Sequence, residues 1–120
     1  MKGNERRKVF MKHEFQSLPV YIKAKEFYQA LKKDVLTKVT DRYVKDQLAR
    51  ASLSIVLNIA EGYGRFHKAD KKNFYINARA SVNECVACLD IVFDSEIPEE
   101  HLEMASELGK MISGLVKKFS

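Results

Sequence analysis

Apolar residues recur along this chain at spacings of three and four, the period of an α-helix rather than the alternation of a strand. Val20, Ala24, Phe27, Leu31 and Val35 form one such stripe and predict a first helix from about Leu18 to Lys38. Ser17 is a candidate N-cap, and Pro19 falls in the first turn, where a missing N–H costs little. Thr40 and Asp41 mark the break, and either can cap a second helix running from about Tyr43 to Gly62. That helix is apolar on two sides: Val44, Leu48, Ile55 and Ile59 on one, Leu53, Val56, Leu57 and Ala60 on the other. A four-helix bundle buries roughly one stripe per helix, so the second apolar side points to a subunit interface. Gly62 and Gly64 stop the helix.

A third helix is expected from about Lys68 to Asp94, with Phe74, Ala78, Val82, Cys85, Leu89 and Val92 as its stripe. Ser95 to Ile97 is a short link, and Pro98 opens a fourth helix whose core face is Leu102, Ala105, Leu108, Ile112, Leu115 and Phe119. Glu99, Glu100 and Glu103 suit its positive N-terminal end, as Lys117 and Lys118 suit its negative C-terminal end. Neither Val-rich alternation nor a hairpin turn dipeptide appears, so strands are not indicated. Four helices on short links predict an all-α fold, an antiparallel up-down-up-down four-helix bundle over residues 17–120. Residues 1–16 read as a basic N-terminal arm, expected to be flexible.

Length and composition agree with one ordinary globular domain. The uncharged run Ala51 to Ala60 is about half the length a membrane-spanning helix needs, and the basic start carries no apolar stretch of a signal peptide. The expected location is the cytoplasm, without membrane association. Charge is unevenly spread: residues 1–79 carry +10, residues 80–109 carry −8 and residues 110–120 carry +3, for a net +5. A basic front and an acidic rear fit partners of opposite sign or self-association through complementary faces; solvated helix faces are the plainer alternative.

Two polar groupings are candidates for chemistry. On the second helix Gln47, Arg50, Ser54, Asn58, Glu61 and Arg65 share one narrow stripe. Ser81 and Glu84 lie one turn apart on the third. If the stripes meet, they make a polar layer inside the bundle, with Arg50 and Arg65 as counter-charges for the carboxylates. Glu61 and Glu84 as an acid–base pair is the catalytic alternative; no candidate nucleophile accompanies them, so the structural network is the preferred reading. Lys68, Lys72, Tyr75 and Arg79 form the second grouping, a basic stripe with one aromatic, enlarged by Lys71 and Arg65. Such a stripe attracts phosphates, and a tyrosine can stack on an unpaired base. A solvated helix flank is again the plainer alternative.

Other chemistry is poorly supported. Cys85 and Cys88 are spaced C-x-x-C, but in mid-helix and without a second ligand pair, and the histidines at 13, 67 and 101 are scattered. No Glu-x-x-His pair suggests a di-iron bundle, and Glu61–Arg65 lacks the Gly-Lys-Ser/Thr ending of a P-loop. No metal and no cofactor are expected.

Gln47-Leu48-Ala49-Arg50-Ala51-Ser52-Leu53-Ser54-Ile55, followed by Asn58-Ile59-Ala60-Glu61-Gly62-Tyr63-Gly64-Arg65, resembles the pattern of the bacterial four-helix bundle proteins encoded in 23S rRNA intervening sequences. Ala78-Arg79-x-Ser81-x-x-Glu84 is similar to that family's third helix, and Leu18-Pro19-Val20 to the start of its first. One position departs: after Asp70 the family tends to place an aromatic, where this chain has Lys71. The resemblance implies a left-handed antiparallel bundle, a barrel-like homopentamer and no enzymatic activity. It extends to the accessory proteins of diversity-generating retroelements, whose basic pentamers bind nucleic acid and a reverse transcriptase. The expected function is therefore a non-enzymatic oligomer that binds RNA or a ribonucleoprotein, a reverse transcriptase complex included, through its basic surface. A protein–protein scaffold without a nucleic-acid role is the alternative.

Overall fold

In a computed structural model, residues 13–120 are described. Most of the basic arm, residues 1–12, lies outside them. Glu14–Ser17 form a 3-10 turn that leads into α1, Pro19–Leu31. The helix winds on through a π-helical turn, Lys32–Leu36. There follow α2, Arg42–Tyr63; α3, Lys68–Phe93; and α4, Glu99–Lys118. Each helix packs on its neighbours in sequence, and α4 closes the ring against α1. The fold is the all-α four-helix bundle that the spacing predicts. No helix among the described residues is long and apolar enough to cross a membrane.

The helix ends have local causes. Asp41 caps α2: its carboxylate accepts from the backbone N–H of Tyr43 at 3.0 Å and of Val44 at 3.4 Å. Two of the donors that a helix start leaves unpaired are thereby satisfied. Ser17 does not cap α1. Its hydroxyl turns back to donate to the Glu14 carbonyl at 2.9 Å, and Leu18 takes the N-cap position without a side-chain bond. The Pro19 ring fixes the first turn instead. At the end of α3, Asp94 and Ser95 adopt left-handed backbone, φ 47° and 68°, and the Ser95 N–H returns to the Asp90 carbonyl at 3.0 Å.

The core is the set of stripes read from the sequence. Phe27, Leu31, Leu48, Ile55, Ile59, Leu89, Leu108 and Ile112 are completely buried. Val35 and Leu36, successive residues of the π turn, are both buried. Some expected core positions lie outside. Leu102 is exposed at the start of α4. On the second apolar side of α2, Val56 is buried and Ala60 half-buried, while Leu53 and Leu57 stay 40% and 54% exposed. They face away from the one core that a single chain encloses.

Candidate nucleic-acid interface

The α2 and α3 stripes meet, but as a seam along the side of the bundle rather than a layer inside it. The Ser81 hydroxyl donates to Ser54 Oγ at 3.1 Å, and Asn58 Nδ2 donates to both Ser54 O at 2.8 Å and Ser54 Oγ at 2.9 Å. Further along, Gln47 Nε2 donates to the Glu84 carboxylate. Ser81 is buried, Ser54, Asn58 and Glu84 half-buried, and Gln47, Arg50 and Glu61 exposed. Of the two arginines expected as counter-charges, Arg65 takes that role and Arg50 does not. Glu61 pairs with Arg65 one turn on, at 3.2 Å, instead of joining the seam. Glu84 takes Gln47 as its partner rather than Arg50. The two carboxylates therefore serve separate partners, and the seam ties α2 to α3 through one hydroxyl pair, Ser81–Ser54, and one amide–carboxylate bond, Gln47–Glu84.

The basic stripe divides into residues with different tasks. Lys68 is exposed and Lys72 half-exposed, one turn apart on α3, and among the described residues neither pairs with a carboxylate. The Arg65 guanidinium lies over the Phe74 ring, 4.7 Å from its centroid, while also held by Glu61. The ring face attracts the cation, and the acid partly offsets its charge.

Lys71 works inward. Its ammonium donates to the Gly62 and Tyr63 carbonyls at 3.2 and 2.7 Å, closing the C-terminal end of α2 where the helix dipole is negative. It also stands over the Tyr63 and Phe119 rings. The lysine at the departing position is thus part of the fold.

Arg79 spans to α4, donating to Ser113 Oγ at 3.1 Å and to Asn83 Oδ1 at 2.8 Å. A Cβ on Gly109 would come within 3.1 Å of the Arg79 Cζ, so the glycine leaves room for the crossing.

Tyr75 leaves the interface altogether. It is 2% exposed, packed over Gly62 and 5.8 Å from the Phe119 ring centroid. Burial, with Tyr63 nearby, pushes its phenol above the ordinary range. A ring so enclosed offers no face to a base. Spacing placed it on the flank of α3, but the end of α2 and the last turn of α4 cover that flank at this level.

The aromatic that does face solvent is Phe66, 98% exposed in the α2–α3 turn. Sequence periodicity passes over it because it belongs to no stripe. Periodicity also passes over His101. It is 5% exposed at the start of α4, its Nε2 lies 3.5 Å from Asp34 Oδ2 in the π turn, and neither ring nitrogen has a hydrogen-bond partner.

Cys85 and Cys88 are free thiols facing the core. Burial, with Cys88 and Glu84 adding to it, pushes the Cys85 thiol far above its ordinary range; burial raises Cys88 as well. Both read as small core residues. Among the described residues no cluster of three or more potential metal ligands forms.

No match was found among curated proteins or among solved structures. A family model does match, over residues 16–115, nearly the whole bundle. It covers all of α2 and α3, and α4 as far as Leu115. The chain belongs to the 23S rRNA-intervening sequence protein family.

Proposed function

We propose that this chain is a non-enzymatic, cytoplasmic, self-assembling bundle that binds RNA or a ribonucleoprotein at the corner where α2 turns into α3. The observation that carries the reading is the pair Lys68 and Lys72. Both ammonium groups stand on one helical flank, without carboxylate partners among the described residues, beside the Arg65 guanidinium that lies over the Phe74 ring. One phosphate backbone running along the flank meets all three. The family's rRNA-related name supports the same direction.

Changing Lys68 and Lys72 together to glutamine is expected to weaken binding to every RNA sequence alike. It should also flatten the log–log salt dependence for a single strand by roughly 0.7 for each phosphate that is no longer neutralised. Arg79 is left in place because it holds α4. Filter binding across a salt series reads both quantities. A parent chain that binds no RNA at low salt, or a double variant with the parent's affinity and slope, would show the flank to be merely solvated and leave the protein scaffold as the better reading.

Self-assembly, for which the family resemblance implies a homopentamer, is supported in its general form by Leu53 and Leu57 on α2 and Ile76 on α3, which are 40%, 54% and 43% exposed. Covering such side chains on association stabilises by about 25 cal/mol per Å² of apolar area. Repetition of the basic flank around a ring would multiply weak phosphate contacts. Light scattering at micromolar concentration should give a multiple of the 13.8 kDa chain mass, and Leu57→Arg should lower it. A parent mass of 13.8 kDa throughout would remove the assembly.

A further inference from the structure

Phe66 has no structural reason to be where it is. Its ring is 98% exposed, more than any other large apolar side chain among the described residues. It lies outside both the core and the partly buried shell around it. Its neighbours in sequence are Arg65, His67 and Lys68, all exposed. The nearby acids are Glu61, already paired with Arg65, and Asp70 in the first turn of α3. An aromatic ring flanked by cations suits a flat, polarizable ligand that carries negative charge.

The turn that presents the ring is firmly held. The Gly64 N–H returns to the Ala60 and Glu61 carbonyls at 3.3 and 3.2 Å, and the Arg65 N–H to Gly62 at 3.2 Å. Lys71 clamps the Gly62 and Tyr63 carbonyls from the α3 side. A ring on an ordered turn loses little freedom on binding, so more of the contact energy appears as affinity.

We infer that Phe66 is a stacking platform for an unpaired base, and that the corner prefers single-stranded RNA to duplex. In this arrangement Lys68 and Lys72 take the phosphates while the ring takes the base beside them. Duplex RNA offers the same phosphates, but its bases are already stacked and cannot reach the ring. The inference rests on the RNA-binding reading and assigns the class of ligand to its site.

The test uses the full chain with an unstructured uridine strand of about twelve nucleotides and a duplex of similar length. Phe66→Ala should lower affinity for the strand roughly tenfold, while duplex affinity and the salt slope stay at parental values because no charge is lost. Phe66→Trp should keep the parent's affinity. The chain contains no tryptophan, so that indole is a unique reporter, and its emission should be quenched by the strand but not by the duplex. An alanine variant that binds the strand as tightly as the parent overturns the stacking role and leaves RNA binding by the lysines intact. So does one whose assembly mass falls, since the ring would then be a subunit contact. A parent that binds neither RNA at low salt overturns the RNA-binding reading and the stacking role together.

Discussion

Phe27→Ala is expected to lower the unfolding free energy by about 3–5 kcal/mol, a large effect for one side chain. Phe27 is 0% exposed at the middle of α1, the helix that joins α2 on one side and α4 on the other. Truncation removes the transfer energy of the ring and leaves a cavity that neighbours on rigid helices cannot close. Domains of this size are stable by about 5–15 kcal/mol, so between roughly a fifth and all of the margin is at stake. Urea denaturation followed by circular dichroism measures it. Phe27→Leu, which keeps most of the volume, should cost less than about 1.5 kcal/mol. An alanine variant that melts with the parent would mean that α1 does not dock as described. Leu57→Ala is the contrasting case: the side chain is 54% exposed, so a solitary chain should hardly notice its loss. A marked, concentration-dependent loss at Leu57 would come from the assembly.

Gly62→Ala is expected to destabilise by about 1–3 kcal/mol, against the direction that helix propensity alone would give. Gly62 lies within α2 and is buried. In an unconstrained helix, alanine would be favoured there by roughly 0.8–1.0 kcal/mol. A Cβ at this position, however, would come within 2.7 Å of Tyr75 Cε1 and 3.0 Å of Phe74 Cβ. The Tyr75 ring is enclosed and the Phe74 Cβ is fixed to the α3 backbone, so the two helices must separate to admit the methyl group. Separation would strain the Ser54–Ser81 seam as well.

Gly64 supplies the control. A Cβ there meets nothing closer than 3.6 Å, and the backbone φ of −78° is open to any residue. Gly64→Ala should therefore be neutral or stabilise by up to about 1 kcal/mol, because alanine leaves the unfolded chain fewer conformations. Opposite signs for two glycines two residues apart, read from denaturation midpoints, would identify close packing as the cause. Equal signs would remove the steric explanation.

The bundle was legible in the sequence because helix formation and core selection are governed by local periodicity. Val20, Ala24, Phe27, Leu31 and Val35 declare one face of α1 whatever lies opposite. Asp41 carries its capping chemistry in its own side chain, reaching backbone donors two and three residues away. Pro98 before the Glu99–Glu100 start of α4 is local in the same sense. The rRNA-related family was legible too, because its pattern lies mostly in the contiguous α2 segment.

The division of labour within the basic stripe was not legible. Spacing places Lys68, Lys72, Tyr75 and Arg79 near one angle around the α3 axis, but an angle does not say what stands opposite it. Opposite Tyr75 is the gap left by Gly62, with Phe119 beside it, and the ring fills that space. Opposite Arg79 is Gly109, and the guanidinium lies across α4. Opposite Lys71 are the last carbonyls of α2. Lys68 and Lys72 are left without a carboxylate partner among the described residues and remain for a ligand. Periodicity thus determined which residues form each helix and which face of it is apolar. The tertiary structure decided which polar and aromatic side chains are left outside, because that depends on how closely neighbouring helices approach, and glycines on other helices set that distance.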